Sequence, residues 1–133
     1  MAHIIVDYSA NLAEKTDLEA LASALHDAAV STGIITRQAL RTRLRPAQIY
    51  RIADNNPDNA YCHVMLRLAK GRDEATRQQA GRTVFEALCA VLSKIYETAP
   101  LALSVEVAEV PQETSFKKMN FEKHAQQQAQ QQQ

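Results

Sequence analysis

The groups of this chain whose type and placing could carry chemistry are Arg41, Arg43, Arg45, Arg72 and the α-amino group. The first three arginines alternate with Leu40, Thr42 and Leu44, and on a pleated strand that spacing sends all three guanidinium groups to one side. A guanidinium is always charged and presents a fork of donors that matches a carboxylate. Arg72 follows Gly71 just ahead of a helix pattern, where free backbone N–H groups and the helix dipole also favour an anion. Asp73 and Glu74 are the acids that could pair with it instead. The amine enters because the chain reads as a strand from its first residues: Ile4, Ile5 and Val6 are β-branched and suit a half-buried pleated surface. An anchored α-amino group has a pKa of about 7.7–8.0, so part of it is a neutral base at pH 7.

Other chemistries find no support. His3 and His63 have no serine or cysteine set with them in a nucleophile motif, and both read as structural. No group of His, Cys and acidic residues has metal-ligand spacing. The three glycines form no phosphate loop. Fifteen basic and fifteen acidic residues cancel, which gives no reason to expect nucleic acid or an anionic membrane as partner. No apolar run approaches the roughly 18 residues of a membrane span, and no leader pattern precedes the first strand. Cys62 and Cys89 read as reduced packing residues, so the expectation is a cytoplasmic domain.

The elements that must position these groups follow from periodicity. After the first strand, Thr16 and Asp17 offer N-cap chemistry for a helix carrying Leu18, Leu21, Ala22, Leu25, Ala28 and Ala29 on one face, with Gly33 as its stop. Leu40 to Arg45 alternates as a second strand and Pro46 ends it. A connection from Ala47 to Pro57, with a short turn or strand piece, leads to a third strand over Tyr61 to Leu68. Val84, Phe85, Leu88, Val91, Leu92, Ile95 and Tyr96 mark the longest helix, closed by Pro100. Leu101 to Val107 alternates as a fourth strand, and Phe116 to Phe121 reads as a short strand or turn. The glutamine-rich residues 123–133 are expected to be disordered, leaving 1–122 as a single domain.

The fold class is therefore α+β, a two-layer β-α-β plan repeated once, with two helices on one face of a four-stranded sheet. By strand parity the other face carries Arg41, Arg43 and Arg45, with His63, Met65, Arg67, Ser104 and Glu106. Such a surface is either an ordinary solvated sheet face or an anion site, and it must be wet or covered by another subunit.

Several segments carry a family resemblance: A-H-I-I-V-D-Y-S-x-N at Ala2 to Asn11, L-R-T-R at Leu40 to Arg43, G-R at Gly71–Arg72, E-A-T-R-Q-Q-A-G at Glu74 to Gly81, L-A-L-S-V-E-V at Leu101 to Val107, and S-F-K-K-M-N at Ser115 to Asn120. Together they resemble the 5-carboxymethyl-2-hydroxymuconate Δ-isomerase family of the tautomerase superfamily. The resemblance implies a duplicated β-α-β fold assembled as a homotrimer. It also implies cofactor-free isomerisation of an unsaturated 2-hydroxy polycarboxylate in the homoprotocatechuate branch of aromatic degradation. In the family the base is an N-terminal proline exposed by loss of the initiator methionine. Ala2 stands at that position, so the implied catalytic group is a primary amine there. Arg41 and Arg72 match the family's substrate-binding positions, and Arg43 shares the face of Arg41. Because Ala2 is not proline, a trimer that binds a carboxylate ligand with little turnover is the competing reading. A ferredoxin-like small-molecule or RNA module is set aside: the third strand offers only Tyr61 as a stacking aromatic.

Overall fold

The computed structural model describes residues 1–131. Strand β1 (Ala2–Ser9) opens the chain, and a 3-10 turn over Ala10–Glu14 leads to helix α1 (Leu18–Ser31). A second 3-10 turn over Arg37–Ala39 feeds strand β2 (Leu40–Ala47). The plan then repeats: β3 (Ala60–Ala69), α2 (Glu74–Val91) with a short continuation α3 (Ser93–Thr98), and β4 (Leu101–Val110). The sheet order is β2-β1-β3-β4. β1 runs parallel to β2 and β3 parallel to β4, while β1 and β3 are antiparallel neighbours. Each half is thus a β-α-β unit, as expected, and the halves join at the centre of the sheet.

The core lies between sheet and helices. Ile4 and Val6 of β1 and Val64, Leu66 and Leu68 of β3 are buried with Leu21 and Leu25 of α1 and Val84 and Leu88 of α2. Burying one such side chain stabilises by about 1.5–3 kcal/mol, which is why the alternation in β1 and β3 sets the register so firmly. Gly81 lets α2 approach the sheet: a β-carbon there would meet Val107 Cγ2 of β4 at 2.8 Å. Asp17 caps α1 by accepting from the Ala20 N–H at 3.2 Å, and Asp73 caps α2 by accepting from the Thr76 N–H at 2.8 Å. Two polar residues of the opening segment tie the halves together. Ser9 Oγ accepts from the Tyr61 N–H at 2.9 Å, and the Asn11 amide donates to the Asn59 carbonyl at 2.8 Å.

Some expectations are corrected. β2 runs through Pro46 to Ala47, because β2 is an edge strand and a proline there can leave its missing N–H on the unpaired side. One stands: α1 ends at Ser31 and Gly33, with φ +80° just after the cap residue Thr32, is the glycine stop expected of it. No strand forms between Ala47 and Pro57, nor over Phe116 to Phe121. The long helix is interrupted at the fully buried Leu92, whose backbone (φ −101°, ψ 14°) leaves the helical region, without losing the Leu92 N–H bond to Leu88 or the Tyr96 N–H bond to Leu92. No glycine or proline marks that break. The glutamine-rich segment, expected to be disordered, is helical as α4 (Phe121–Gln131) and exposed along its whole length. Glutamine and alanine are good helix formers, and local propensity suffices to shape the segment where packing does not. Residues 132 and 133 of that tail lie outside the described residues.

Candidate active site

Register decides which side chains meet on the face that the helices leave open. His3 of β1 stands opposite Arg41 of β2 and Arg67 of β3, and Ile5 stands opposite Arg43 and Met65. Side-chain bonds agree with this parity. Thr42 Oγ1 lies 2.8 Å from His26 Nδ1 of α1, on the covered side, whereas Arg43 Nη1 lies 3.0 Å from His3 Nδ1 on the open side.

Several cations converge at the N-terminal end of β1: Lys117, Arg41 and Arg72 act on the Met1 amine, and Arg43, Arg41 and Arg67 on His3. A cavity of about 450 Å³ opens there, lined by Met1, His3, Arg67, Gln112, Ser115, Phe116 and Lys117 among others. The terminal amine is that of Met1, and its pKa lies below the usual 8.0. Burial is the main cause, followed by the hydrogen bond and charge of Lys117 and then by the charges of Arg41 and Arg72. Each effect penalises the ammonium form, so this environment favours a neutral amine. His3 is likewise held below the usual 6.5, first by burial and then by Arg43, Arg41 and Arg67.

The nominated arginines differ in how they are held. Arg41 Nη1 donates to the Ala39 carbonyl at 2.9 Å, and its guanidinium lies 5.0 Å from the centroid of the Phe121 ring, a cation–π geometry. Arg72 donates from Nη1 to the Ala69 carbonyl at 3.0 Å and from Nη2 to the Ile34 carbonyl at 2.8 Å. It therefore staples the end of β3 to the loop after α1 while keeping part of its fork free. Asp73, occupied as a helix cap, is not its ion-pair partner. Arg77 secures the same loop by donating to the Arg72 carbonyl and pairing with Glu109 at 3.5 Å. Arg43 faces His3, and Arg45 is exposed. Arg41 and Arg72 are near enough for their charges to act on the Met1 amine, and Arg43 lies two residues beyond Arg41 on the same face of β2. Ala2 itself is buried in the core, 5 % exposed.

Away from this corner the open face is internally bonded. His63 bridges Ser104 Oγ at 2.6 Å and Glu106 Oε1 at 3.0 Å, and the Tyr61 hydroxyl donates to Asp7 at 2.8 Å. Burial and the Asp7 bond push the Tyr61 phenol up to about 12. A larger groove of about 560 Å³ lies between Phe85, Cys89 and Tyr96 on the helices and Leu101 and Leu103 on β4. Its lining holds Glu97 and no basic residue, so it does not suit a carboxylate. Among the described residues no group of His, Cys, Asp and Glu could hold a metal ion, and no helix is long and apolar enough to cross a membrane.

An edge-to-centre β-α-β repeat with an amine and arginines at the head of β1 has known counterparts. The family model for 5-carboxymethyl-2-hydroxymuconate isomerase matches residues 2–125. The chain belongs to that isomerase family. The 5-carboxymethyl-2-hydroxymuconate Delta-isomerase of Escherichia coli is 33 % identical over 120 residues, spanning 90 % of this chain and 95 % of that protein. Among solved structures, a 5-carboxymethyl-2-hydroxymuconate isomerase from Deinococcus radiodurans R1 superposes with a TM-score of 0.85 at 25 % identity, covering 93 % of both chains. A crystal structure of 5-carboxymethyl-2-hydroxymuconate delta-isomerase gives 0.86 at 24 % identity, covering 94 % of this chain and 93 % of the other. Further away the fold extends to a fused 4-OT solved as a symmetric trimer, with a TM-score of 0.66 at 18 % identity over 89 % and 92 % of the two chains. The 5-carboxymethyl-2-hydroxymuconate isomerase family therefore supplies both the fold and the reaction class of an isomerase.

Sequence reasoning did not single out Lys117 or Arg67, and it read His3 as structural. Lys117 lies in the S-F-K-K-M-N segment and Arg67 on the correct strand parity, so both left a signal. That Lys117 folds back onto the N-terminus is a tertiary fact, invisible to local pattern.

Proposed function

We propose that the protein isomerises an unsaturated 2-hydroxy polycarboxylate, 5-carboxymethyl-2-hydroxymuconate or a close analogue, without a cofactor. After removal of Met1, which the small side chain of Ala2 permits, the neutral amine of Ala2 takes the proton from the 2-hydroxyl of the dienol. The ammonium then returns that proton to carbon 5. Arg41 and Arg72, with Arg43 beside them, hold the carboxylates through charge-assisted hydrogen bonds. The observation that carries this reading is that the amino end of the chain, occupied here by the Met1 amine, feels the charges of Lys117, Arg41 and Arg72, all of which favour a neutral amine; loss of Met1 leaves the Ala2 amine one residue further along the same strand. The same cations suit a substrate bearing several carboxylates.

The working unit is a homotrimer acting in the cytoplasm. Support for the trimer comes from the open sheet face, where half-buried Ile5 and Met65 lie between charged neighbours, and from the trimeric fused 4-OT of like fold. A mass near that of one 14.8 kDa chain by light scattering at micromolar concentration would rule the trimer out. Replacement of the family's proline by Ala2 favours one second reading, a trimer that binds a carboxylate ligand with little turnover. Intact mass with an ultraviolet assay on the dienol separates the two. A chain beginning at Ala2 that turns over, and loses turnover when its amine is blocked, establishes the isomerase. A chain that retains Met1 and is inactive moves the reading to a trimer that binds a carboxylate ligand or only assembles.

A further inference from the structure

The imidazole of His3 is placed beside the reacting amine, yet no role in the reaction proposed above falls to it. We propose that His3 is a catalytic residue: a neutral imidazole whose Nε2–H hydrogen-bonds the C2 oxygen of the substrate as that oxygen passes from hydroxyl to carbonyl. The inference rests on the isomerase reading for the identity of the reacting oxygen, but its physical basis is independent of it.

Arg43 Nη1 lies 3.0 Å from His3 Nδ1. A guanidinium has donors and no acceptor, so Nδ1 must accept, and in the neutral ring the proton then resides on Nε2. Among the described residues Nε2 has no hydrogen-bond partner. His3 lines the same cavity as Met1, Arg67 and Lys117, which puts a fixed donor where the amine and the ligand carboxylates meet.

The neutrality of the ring follows from its neighbours on every side. Arg41 and Arg43 face it from β2, Arg67 from β3 and the terminal amine from β1 itself, while Lys117 lines the cavity from the segment after β4. The acids of this sheet face are engaged elsewhere, Asp7 by Tyr61 and Glu106 by His63. A second proton on His3 would add a cation to a corner already crowded with them.

A neutral donor is what proton abstraction from a 2-hydroxyl needs. As the O–H proton moves to the Ala2 amine, negative charge grows on the C2 oxygen, and a preset N–H aimed there stabilises it. Nε2 keeps its own proton throughout; the proton that reaches carbon 5 is the one carried by the amine. A neutral imidazole polarising a carbonyl is known chemistry in other isomerases. Here Arg43 fixes the tautomer.

Two variants of the full-length assembly test the role: His3→Leu, which removes the donor, and His3→Gln, whose amide can replace it. With the dienol, His3→Leu is expected to lower kcat by about 10²-fold, the effect of losing one such donor, with KM nearly unchanged. His3→Gln should recover at least part of that loss. Equal kcat in His3→Leu and the parent, or equal losses in both variants at unchanged melting temperature, would overturn the proposal. A second measurement needs no turnover. In 15N-labelled protein the His3 Nε2–H resonance is followed on addition of 2-oxoglutarate and, separately, of glutarate. A shift with the 2-oxo acid alone is the expected result, and it would stand even if the dienol were no substrate. Equal shifts with both, or none with either, would sink the donor role whatever the enzyme's activity.

Discussion

Gly81 of α2 passes so near β4 that a β-carbon on it would lie 2.8 Å from Val107 Cγ2. Two effects compete when Gly81 is replaced by alanine. Alanine in a helix interior is favoured over glycine by about 1 kcal/mol. Against that stands an overlap with a stiff β-branched side chain, and forcing extra volume into a packed site costs about 1–3 kcal/mol. The overlap should win. Gly81→Ala is expected to lower the melting temperature, and Gly81→Ala with Val107→Ala should recover part of the loss; a higher melting temperature for the single variant would refute the close-packing account.

The depressed pKa of the terminal amine makes a kinetic prediction. The shift is that of the Met1 amine; with the Ala2 amine freed one residue along the strand among the same cations, and a base active only when neutral, kcat/KM should rise with pH to a plateau with its midpoint below 8.0. After burial, Lys117 is the next cause of the depression. Lys117→Gln should therefore move the midpoint upward, and an unmoved midpoint would show that Lys117 does not act on the amine. Folding linkage has the same sign. The unfolded chain protonates this amine more readily than the folded one, so its contribution to stability increases as pH rises through the folded pKa towards 8.0.

Ala2→Pro should accelerate turnover, since it restores the family's secondary amine at the position that the resemblance assigns to the base. The parent's primary amine carries a liability that proline lacks: it can condense with a 2-oxo acid to a neutral Schiff base. Borohydride with a 2-oxo acid should add mass to the N-terminus of the parent. Absence of adduct on the parent means that condensation does not occur.

Arg72 is both a candidate carboxylate partner and a bracket for two backbone carbonyls, at Ile34 and Ala69. Arg72→Ala should raise KM and also cost stability, about 1–3 kcal/mol for leaving such groups unpaired. Arg43→Ala touches no backbone carbonyl among the described bonds and should raise KM with a smaller loss on denaturant titration. Equal stability of the two variants would contradict the bracket role.

The C-terminal segment reaches the site through Arg41, which contacts Met119 Sδ at 3.5 Å and stacks over Phe121. Removing the chain from Ala125 onward should leave melting temperature and activity nearly unchanged, because α4 is exposed throughout. Removing it from Met119 onward should release Arg41 and raise KM. Identical kinetics for both truncations would separate Arg41 from this segment.

The strands were legible because parity and burial coincide. Ile4 and Val6, or Val64 and Leu66, lie within the core at every second position, and a one-residue slip would expose them all. The same parity put Arg41, Arg43 and Arg67 on one open face from sequence alone. Local pattern also sufficed for Asp17 as a cap, since a cap is completed within three residues. Non-local relationships left no such trace. The break at Leu92 carries no glycine or proline and falls where a buried leucine sits between two helical segments. The order of α4 contradicts the expectation drawn from its low apolar content, because helix propensity acts without a core.

The sequence by itself determined the two β-α-β units, the face each strand presents and the arginines on it, because these depend on spacing along one element. Tertiary structure alone decided that Lys117 meets the N-terminus, that Arg43 fixes the tautomer of His3, and that Arg41 is held by Phe121. Those contacts join residues 40 to more than 100 positions apart, and chain closure over such distances is set by the packing of the whole sheet.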